Sequence, residues 1–330
     1  MDLMIVAGVH LDRAWSQLGG PYGVTLRQWS REVLARVVDE AHRRNVGTLV
    51  IAGDLLDRAT AVPATVDYAA KVLGAFRGDI LIAPGRSDWI GGPGPYGFQD
   101  WSPNTYIWSA AEYEPSPTVP LVWASAWTSP VGYSPRVPDA AGPRMLVRAE
   151  MGEADLHRLS TRHDDLHVTT GTVMTEKILT IPDLVHDPRA AGGYALIVDG
   201  DDPNRPAERV DLPAQPGRLV EIDVTRLQTT DALAASIDSA LKAEGPLLLR
   251  LTGTLAPPVL LPGFGGPELP PGVVVDLDPL IYGRTTPDSS DRGARAEFLR
   301  AMADIRTNEL ERHQSTALGL AALDANTQGA

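Results

Sequence analysis

Polar side chains that could bind a metal ion or a phosphate group follow three apolar segments of the chain, each at its carboxyl end. His10 ends the first segment, the loop GDLLDR (53–58) follows the second, and the loop GRSD (85–88) follows the third. Open α/β sheets place their sites at the carboxyl ends of parallel strands. The sequence therefore predicts one site, formed by His10 and these two loops.

Strands and helices that alternate along the chain must position these residues. Residues 3–10, 48–52 and 79–83 are nearly continuous apolar runs, which is typical of buried strands. Amphipathic helices are predicted between them, at about 26–44 and 65–76, because apolar side chains recur there at helical spacing. Strands that alternate with helices predict an α/β fold with parallel strands.

The rest of the chain predicts a second layer and a smaller C-terminal region. Shorter strands are expected in six places, which we interpret as a second, mostly antiparallel layer: 105–109, 121–126, 144–148, 166–170, 193–199 and 206–211. The composition changes after Pro213, and a strand–helix–strand unit is predicted over 219–251. Two helices are predicted at the end of the chain, at about 292–306 and 308–323.

Composition restricts the class of protein. The chain has 330 residues, enough for two domains, and no cysteine, which excludes disulfides and thiolate metal sites. Its formal net charge of −13 argues against a protein that holds nucleic acid by itself, since phosphate binding needs a basic surface. No apolar segment approaches the roughly 20 residues that span a bilayer, and no signal segment is recognisable, so we expect a cytoplasmic protein that does not associate with a membrane.

Taken together, the three loops resemble the motifs of the calcineurin-like metallophosphoesterases. That family carries Asp-x-His after its first strand, Gly-Asp-x-x-Asp after its second, and Gly-Asn-His followed by Asp or Glu after its third. The corresponding segments here are GVH (8–10), GDLLDR (53–58) and GRSD (85–88). Later segments, including GGYALIV (192–198), extend the similarity to the SbcD-type nuclease subunit of the SbcCD DNA double-strand-break repair complex.

The resemblance implies a fold, three domains and a partner. The expected fold is α/β: a metallophosphoesterase-type two-sheet β-sandwich flanked by helices (1–213), a small α/β capping domain (214–285) and C-terminal helices (286–330). In the family the C-terminal segment docks on an SMC-like coiled-coil ATPase of the SbcC type, and DNA is met through the complex. The related subunits also dimerise, so a homodimer is an open alternative.

The family's two-metal chemistry needs a bridging carboxylate, the role that falls to Asp54, and a full set of further ligands. Five positions of that set carry other residues: Gly8 (for Asp), Arg86 (for Asn), Ser87 (for the catalytic His), and Thr172 and Met174 (both for His). His10 and Asp54 remain as residual metal ligands. The resemblance therefore implies an exonuclease homologue with a degenerate site, a pseudoenzyme.

Three functions are compatible with these residues. The first is a catalytically degenerate, SbcD-like DNA repair subunit that pairs with an SMC-like ATPase, in which Arg86 binds a backbone phosphate in place of the lost metal charge. The second is an active Mn²⁺-dependent phosphodiesterase that uses Asp12, Asp57 or Asp88 as substitute ligands. The third is a purely structural assembly subunit that does not contact DNA.

Single residues also have simpler interpretations. Asp57 could cap the turn that follows it, and His10 could be a half-buried histidine with satisfied hydrogen bonds. His163 and His167 have the spacing of zinc ligands on a helix, but a solvated loop is the favoured interpretation. Together with His157, they are the candidates for a metal ligand that the loose alignment in this region conceals.

Overall fold

The computed structural model describes residues 1–18, 20–131, 135–137, 144–150, 165–170, 178–188, 193–202, 204–242, 245–263, 266–283 and 292–328. These residues form two compact units, the first of Met1–Ser16 with Gly23–Pro216 and the second of Gln17–Tyr22 with Gly217–Ala330. Both units combine helices with sheets, so the predicted α/β class is confirmed. In the described ranges, no helix combines the length and the apolar character that a membrane crossing requires.

The first unit is built from short strands and two long helices. The strands are β1 (Asp2–Val6), β2 (Thr48–Ile51), β3 (Asp79–Ile82), β4 (Thr105–Ile107), β5 (Glu114–Pro115), β6 (Val122–Ala124), β7 (Met145–Val147), β8 (Leu166–Thr170), β9 (Ile178–Ile181), β10 (Tyr194–Asp199) and β11 (Glu208–Asp211). The helices are α1 (Gly20–Arg43), whose first residues belong to the second unit, and α2 (Pro63–Gly74). Of these elements, β5 and β9 were not predicted from the sequence.

A six-stranded sheet carries the predicted site. Its strand order is β11-β10-β1-β2-β3-β4, in which β1 to β4 are parallel while β10 and β11 are antiparallel to their neighbours. α1 connects β1 to β2, and α2 connects β2 to β3, because parallel neighbours need a crossover connection. The carboxyl ends of β1, β2 and β3 therefore lie along one edge of the sheet.

The second sheet corrects the predicted strand directions. Its order is β5-β6-β7-β8-β9, and only the β5–β6 pair is antiparallel, while the other three pairs are parallel. The prediction of a mostly antiparallel second layer is therefore wrong, and β10 and β11 belong to the first sheet. The intervals 125–144 and 148–165 are long enough for crossovers, which a pattern of short strands alone does not distinguish from hairpins.

One hydrophobic core contains side chains from both sheets of the first unit. It combines residues of β1 to β3 with residues of β6 to β9, among them Ile5, Val50, Leu81, Val147 and Val168. The alternate residues of β1 to β3 point to the opposite face and are buried as well. Both faces of the six-stranded sheet are thus covered, which is the usual condition of parallel strands.

Local sequence explains where α2 begins and ends. Pro63 lies in its first turn, where a missing N–H costs no helical hydrogen bond, and Gly74 is its last residue. Its buried side chains include Val66, Ala69 and Leu73, which recur every three to four residues. The loop that carries the GDLLDR motif is therefore held between a buried strand and a packed helix.

The second unit is a smaller α/β domain. It contains β12 (Arg218–Asp223), α3 (Thr230–Leu241), β13 (Leu247–Leu255), β14 (Val273–Asp276), β15 (Leu280–Tyr282), α4 (Ala294–Asp304) and α5 (Glu309–Gln328). All pairings in its sheet are parallel, with the order β12-β13-β14 and with β15 also paired to β13. α3 crosses from β12 to β13, and the Thr229 hydroxyl caps it by accepting the Ala232 N–H at 3.1 Å.

The helix α5 is anchored to the core of the second unit. Leu310 packs against that core. His313 Nε2 lies 3.1 Å from the Val259 carbonyl oxygen, and the Leu261 N–H donates to Gln314 Oε1 at 3.3 Å. The C-terminal segment is therefore an integral part of this unit.

Candidate functional site

Hydrogen bonds join the loops that follow β1, β2 and β3. The His10 N–H donates to the Asp54 carbonyl at 2.9 Å, and the Arg58 N–H donates to the Ser87 carbonyl at 2.8 Å. The Ser87 N–H in turn donates to Asp54 Oδ1 at 2.7 Å. The structure therefore brings the three loops together, with His10, Asp54 and Ser87 in one cluster.

The backbone at this cluster is strained at five non-glycine positions. His10, Asp12, Trp15, Asp54 and Glu150 have φ angles of 51°, 64°, 52°, 55° and 46°. This left-handed region is rarely adopted by residues with a side chain. Such conformations cost about 1–3 kcal/mol each and persist where the surrounding contacts impose them, often at functional sites. The concentration of strain supports this edge of the sheet as a site.

His10 is fully buried, with 2% of its surface exposed, and not half-buried as the simpler interpretation assumed. Its Nε2 lies 3.3 Å from Asp183 Oδ2 and 3.2 Å from Arg13 Nη1, while Nδ1 has no hydrogen-bond partner among the described residues. Burial lowers the pKa of His10, but the hydrogen bond and charge of Asp183 outweigh burial, so the pKa is raised. Asp183 is therefore the contact that stabilises the charged form of the ring, while the charge of Arg13 opposes it.

Asp183 lies where a side chain on Gly8 would be. A Cβ built on Gly8 would lie 2.2 Å from Asp183 Oδ1 and 2.4 Å from Asp183 Cβ. The two segments are paired, because the Leu184 N–H donates to the Ala7 carbonyl and the Val185 N–H to the Gly8 carbonyl, both at 2.9 Å. A carboxylate therefore stands beside the end of β1 although β1 does not supply one.

The Asp54 carboxyl is buried among other charged groups. Burial and the negative charge of Asp88 raise its pKa from 3.8 to about 7, while the charge of His10 and the Ser87 N–H oppose the rise. A carboxyl group with this pKa is protonated in about half of the molecules near neutral pH. Asp54 is therefore a weaker cation ligand than an ordinary, fully ionised aspartate.

Asp88 organises the loops of the site. Its carboxylate accepts five hydrogen bonds: from the N–H groups of Gly85 (2.6 Å), Leu55 (2.8 Å), Asp54 (3.2 Å) and Leu56 (3.3 Å), and from the Tyr96 hydroxyl (2.5 Å). Burial raises the pKa of Asp88 above its ordinary value, although these hydrogen bonds oppose the rise. Because backbone N–H groups can only donate, the ionised carboxylate is the form that satisfies them. Asp88 thus fixes the loops after β2 and β3 to each other.

The carboxylates of Asp12 and Asp57, the other candidate substitute ligands, also accept hydrogen bonds that hold the loops of the site. Asp12 Oδ1 accepts a hydrogen bond from Arg31 at 2.9 Å, and Asp12 Oδ2 accepts one from the Thr65 hydroxyl. Asp57 Oδ1 accepts the Ala59 N–H at 3.1 Å, which is the turn cap of the simpler interpretation. The described contacts of both carboxylates therefore stabilise the turns around the site.

Two arginines and a glutamate border the buried cluster. Arg86, with 64% of its side chain exposed, places Nη1 4.0 Å from Glu150 Oε2. The Arg13 guanidinium stacks over Trp15, with its Cζ 4.5 Å from the ring centre. Burial raises the pKa of Glu150, and the charges of Arg86 and Arg13 lower it. Both guanidinium groups therefore lie within electrostatic range of one carboxylate.

The histidines considered as hidden ligands do not join this cluster within the described residues. His167 is buried in β8, and burial lowers its pKa. It lies near the amino end of that strand, whereas the Glu150 N–H contacts Thr170 Oγ1 at the carboxyl end, at 2.9 Å. His157, His163, Thr172 and Met174 lie outside the described residues.

The residues present do not fit a pair of metal ions. Across the described ranges, no three His, Asp or Glu side chains are grouped so that they could hold a metal ion. Arg86, in the place of an amide ligand, carries a fixed positive charge and can only donate hydrogen bonds. His10 and Asp54, the expected residual ligands, are therefore left without the partners that an Mn²⁺ ion would need.

The fold and the site define the chain as an α/β protein with a polar site at the carboxyl ends of its parallel strands. The sequence matches no protein-family model, and no curated protein is significantly similar to it. The metallophosphoesterase resemblance therefore stays a prediction that rests on the three loops.

Three residues of the site were not predicted from the sequence: Arg13, Glu150 and Asp183. Glu150 follows the end of β7, and Asp183 follows the end of β9. Both acidic residues lie just after the carboxyl end of a strand. The same criterion identified the other loops and would have found these two residues as well. Asp183 was missed because β9 was not predicted, whereas Glu150 follows a strand that was predicted and was not singled out.

Proposed function

We propose that the first unit is a metallophosphoesterase-type β-sandwich and that the protein is a catalytically degenerate relative of SbcD-type nuclease subunits. In this role it assists DNA end processing as the partner of an SMC-like ATPase. The features that support the proposal are two sheets with one core, three parallel strands whose loops converge, and an α/β unit that ends in two helices.

The observation that carries the proposal is an ion-pair network where metal ligands are expected. His10 pairs with Asp183 at 3.3 Å, and Asp54 accepts a backbone N–H. Arg86 adds a fixed positive charge at the rim. Two-metal hydrolysis needs ligands that complete the shells of both cations, and among the described residues these contacts already engage His10 Nε2 and Asp54 Oδ1. We therefore infer that the site binds a ligand without cleaving it.

The proposal assigns the partner contact to α4 and α5. Two large apolar side chains of this region, Ile305 and Leu318, are 44% and 51% exposed. The net charge of −13 fits a subunit that meets DNA beside a more basic partner, because a phosphate-binding surface must be basic. A homodimer of the first unit is compatible with this arrangement.

Hydrolysis of bis(p-nitrophenyl) phosphate by the purified protein with Mn²⁺ tests the loss of catalysis. Wild type and Asp54→Ala are expected to give the same background rate. Asp57→Ala serves as a matched acidic control, since Asp57 caps a turn. Activity in the wild type and in Asp57→Ala that disappears in Asp54→Ala would refute the degenerate site.

An active Mn²⁺-dependent phosphodiesterase is the second candidate, and the position of Asp183 favours it. A carboxylate beside His10 stands where Gly8 lacks one, so a single-cation site would require that Asp183 leave His10 and turn toward Asp54. This candidate requires that Asp183→Asn abolishes hydrolysis as fully as Asp54→Ala does. A purely structural subunit, by contrast, requires that neither hydrolysis nor phosphate binding is present.

A further inference from the structure

Two arginines beside the strand ends are already engaged by other groups of the protein. Arg58 donates to the carbonyl oxygens of Trp89 and Gly91 at 2.8 and 3.0 Å, and its Cζ lies 3.7 Å from the Trp89 ring centre. Arg31 forms an ion pair with Asp12 at 2.9 Å. These two guanidinium groups hold loops in place and are not available to a ligand.

Arg13 is a positioned cation whose described contacts carry no negative charge. They are the His10 imidazole, with Nε2 3.2 Å away, and the Trp15 ring, with its centre 4.5 Å from the arginine Cζ. Trp15 is buried, so the surface on which the guanidinium stacks is fixed. A stacked guanidinium keeps its N–H donors in one plane and is well prepared for an oxyanion.

Arg86 is a second cation that is only weakly engaged. Its contact with Glu150, at 4.0 Å, is too long for a hydrogen bond. With 64% of the Arg86 side chain exposed, such an ion pair contributes little to stability. Arg86 can therefore exchange Glu150 for an incoming anion at small cost.

Of the carboxylates near the two arginines, Glu150 is the one whose place an external anion could take. Asp183 is engaged by His10, and Asp54 is buried beneath the loops. Glu150 lies 4.0 Å from Arg86. Arg13 and Arg86 border the same cluster, because Arg13 contacts His10 and Arg86 precedes Ser87, and both His10 and Ser87 bind Asp54. The Glu150 carboxylate therefore holds the place beside Arg86 that an external anion would take.

We propose that Arg13 and Arg86 form a metal-independent binding site for a phosphate group, in competition with the Glu150 carboxylate. Planar guanidinium groups match the oxygens of a phosphate group with paired, charge-assisted hydrogen bonds. The choice of phosphate among anions rests on the proposed function. The ligand is either a phosphodiester of a nucleic-acid backbone or free phosphate, which share this chemistry.

Binding is measured in EDTA with two probes, inorganic phosphate and a fluorescently labelled single-stranded oligonucleotide. Wild type is expected to bind phosphate, and Arg13→Ala and Arg86→Ala each to weaken binding roughly tenfold, the effect of losing one charge-assisted hydrogen bond. Glu150→Gln is expected to strengthen binding, because it removes the competing charge. Arg77→Ala is the matched control, since Arg77 precedes β3 at the opposite edge of the sheet.

Failure to bind phosphate in the wild type, or the same affinity in Arg13→Ala, overturns the site. Thermal unfolding of each variant separates loss of the site from loss of the fold, and Arg13→Lys should recover part of the affinity because it restores the charge. Binding of both probes supports a backbone phosphodiester. Binding of phosphate alone supports the site with free phosphate as its ligand and removes DNA from the proposed function. The hydrolysis assay fails or succeeds independently of all these outcomes.

Discussion

The Asp183 side chain lies in the space that a side chain on residue 8 would fill, and Gly8 leaves that space open. The missing Cβ would lie 2.3 Å from Asp183 Cγ, and Gly8 has φ +59°, a conformation that favours glycine. Two residues far apart in the sequence therefore depend on each other. A site that would otherwise take a carboxylate from β1 takes it from the segment after β9.

Gly8→Ala is expected to destabilise the protein by about 2–5 kcal/mol. The left-handed φ costs a residue with a side chain about 1–2 kcal/mol, and the overlap with Asp183 adds about 1–3 kcal/mol. The control is Gly92→Ala, since Gly92 has φ +67° but nothing within 4 Å of its Cβ, so only the conformational cost applies. Urea unfolding measures both losses. Equal losses, or a Gly8→Ala loss that stays just as large in an Asp183→Gly background, would contradict the overlap.

Asp54 should make the protein less stable as the pH rises. Its folded pKa of about 7 lies above its ordinary value of 3.8, so its contribution is fully present below about pH 4 and is lost as the pH rises through about 7. The shift corresponds to about 4 kcal/mol. Asp54→Asn removes this titration, so the variant should match wild type near pH 4 and exceed its free energy of unfolding near pH 8. Parallel pH profiles from urea unfolding would refute the assignment.

Asp88→Asn is expected to lower the free energy of unfolding by about 3–5 kcal/mol. The substitution removes a buried charge that five donors surround and turns an amide N–H₂ toward some of them. Tyr96→Phe removes one of the five donors and should cost only about 1–2 kcal/mol. Asp57→Asn is the control, because an amide oxygen can still cap the turn, and it should change stability by under about 0.5 kcal/mol. Similar losses in the Asp88 and Asp57 variants would show that the five donors are not anchored on the carboxylate.

The elements around the site were predictable where the signal is local. The apolar runs at 48–52 and 79–83 and the polar loops that follow them depend only on neighbouring residues. Strand direction in the second sheet depends instead on how separate segments pair, and β6, β7 and β8 pair in parallel across long intervals. Short strands alone carry no information about that pairing.

The site itself was predictable in part, for a related reason. His10, Asp54 and Ser87 lie close together because the loops that carry them follow neighbouring strands. The partner of His10 could not be predicted, because Asp183 is 173 residues away and follows a strand that the sequence pattern did not reveal. Nor could sequence spacing show that Asp88 faces the backbone of its own loops, since this depends on the direction of a side chain.

Gly319→Ala should have opposite effects in two backgrounds, which tests the packing of α4 on α5. A Cβ on Gly319 would lie 2.1 Å from Phe298 Cζ, so the substitution is expected to cost about 1–3 kcal/mol in the wild type. In a Phe298→Ala background the overlap is gone, and alanine should stabilise the helix by roughly 1 kcal/mol through its higher helix propensity. Urea unfolding measures both values. A gain in the wild type would mean that the two helices do not meet at this pair, and the surface proposed for the ATPase partner would then have to be placed elsewhere.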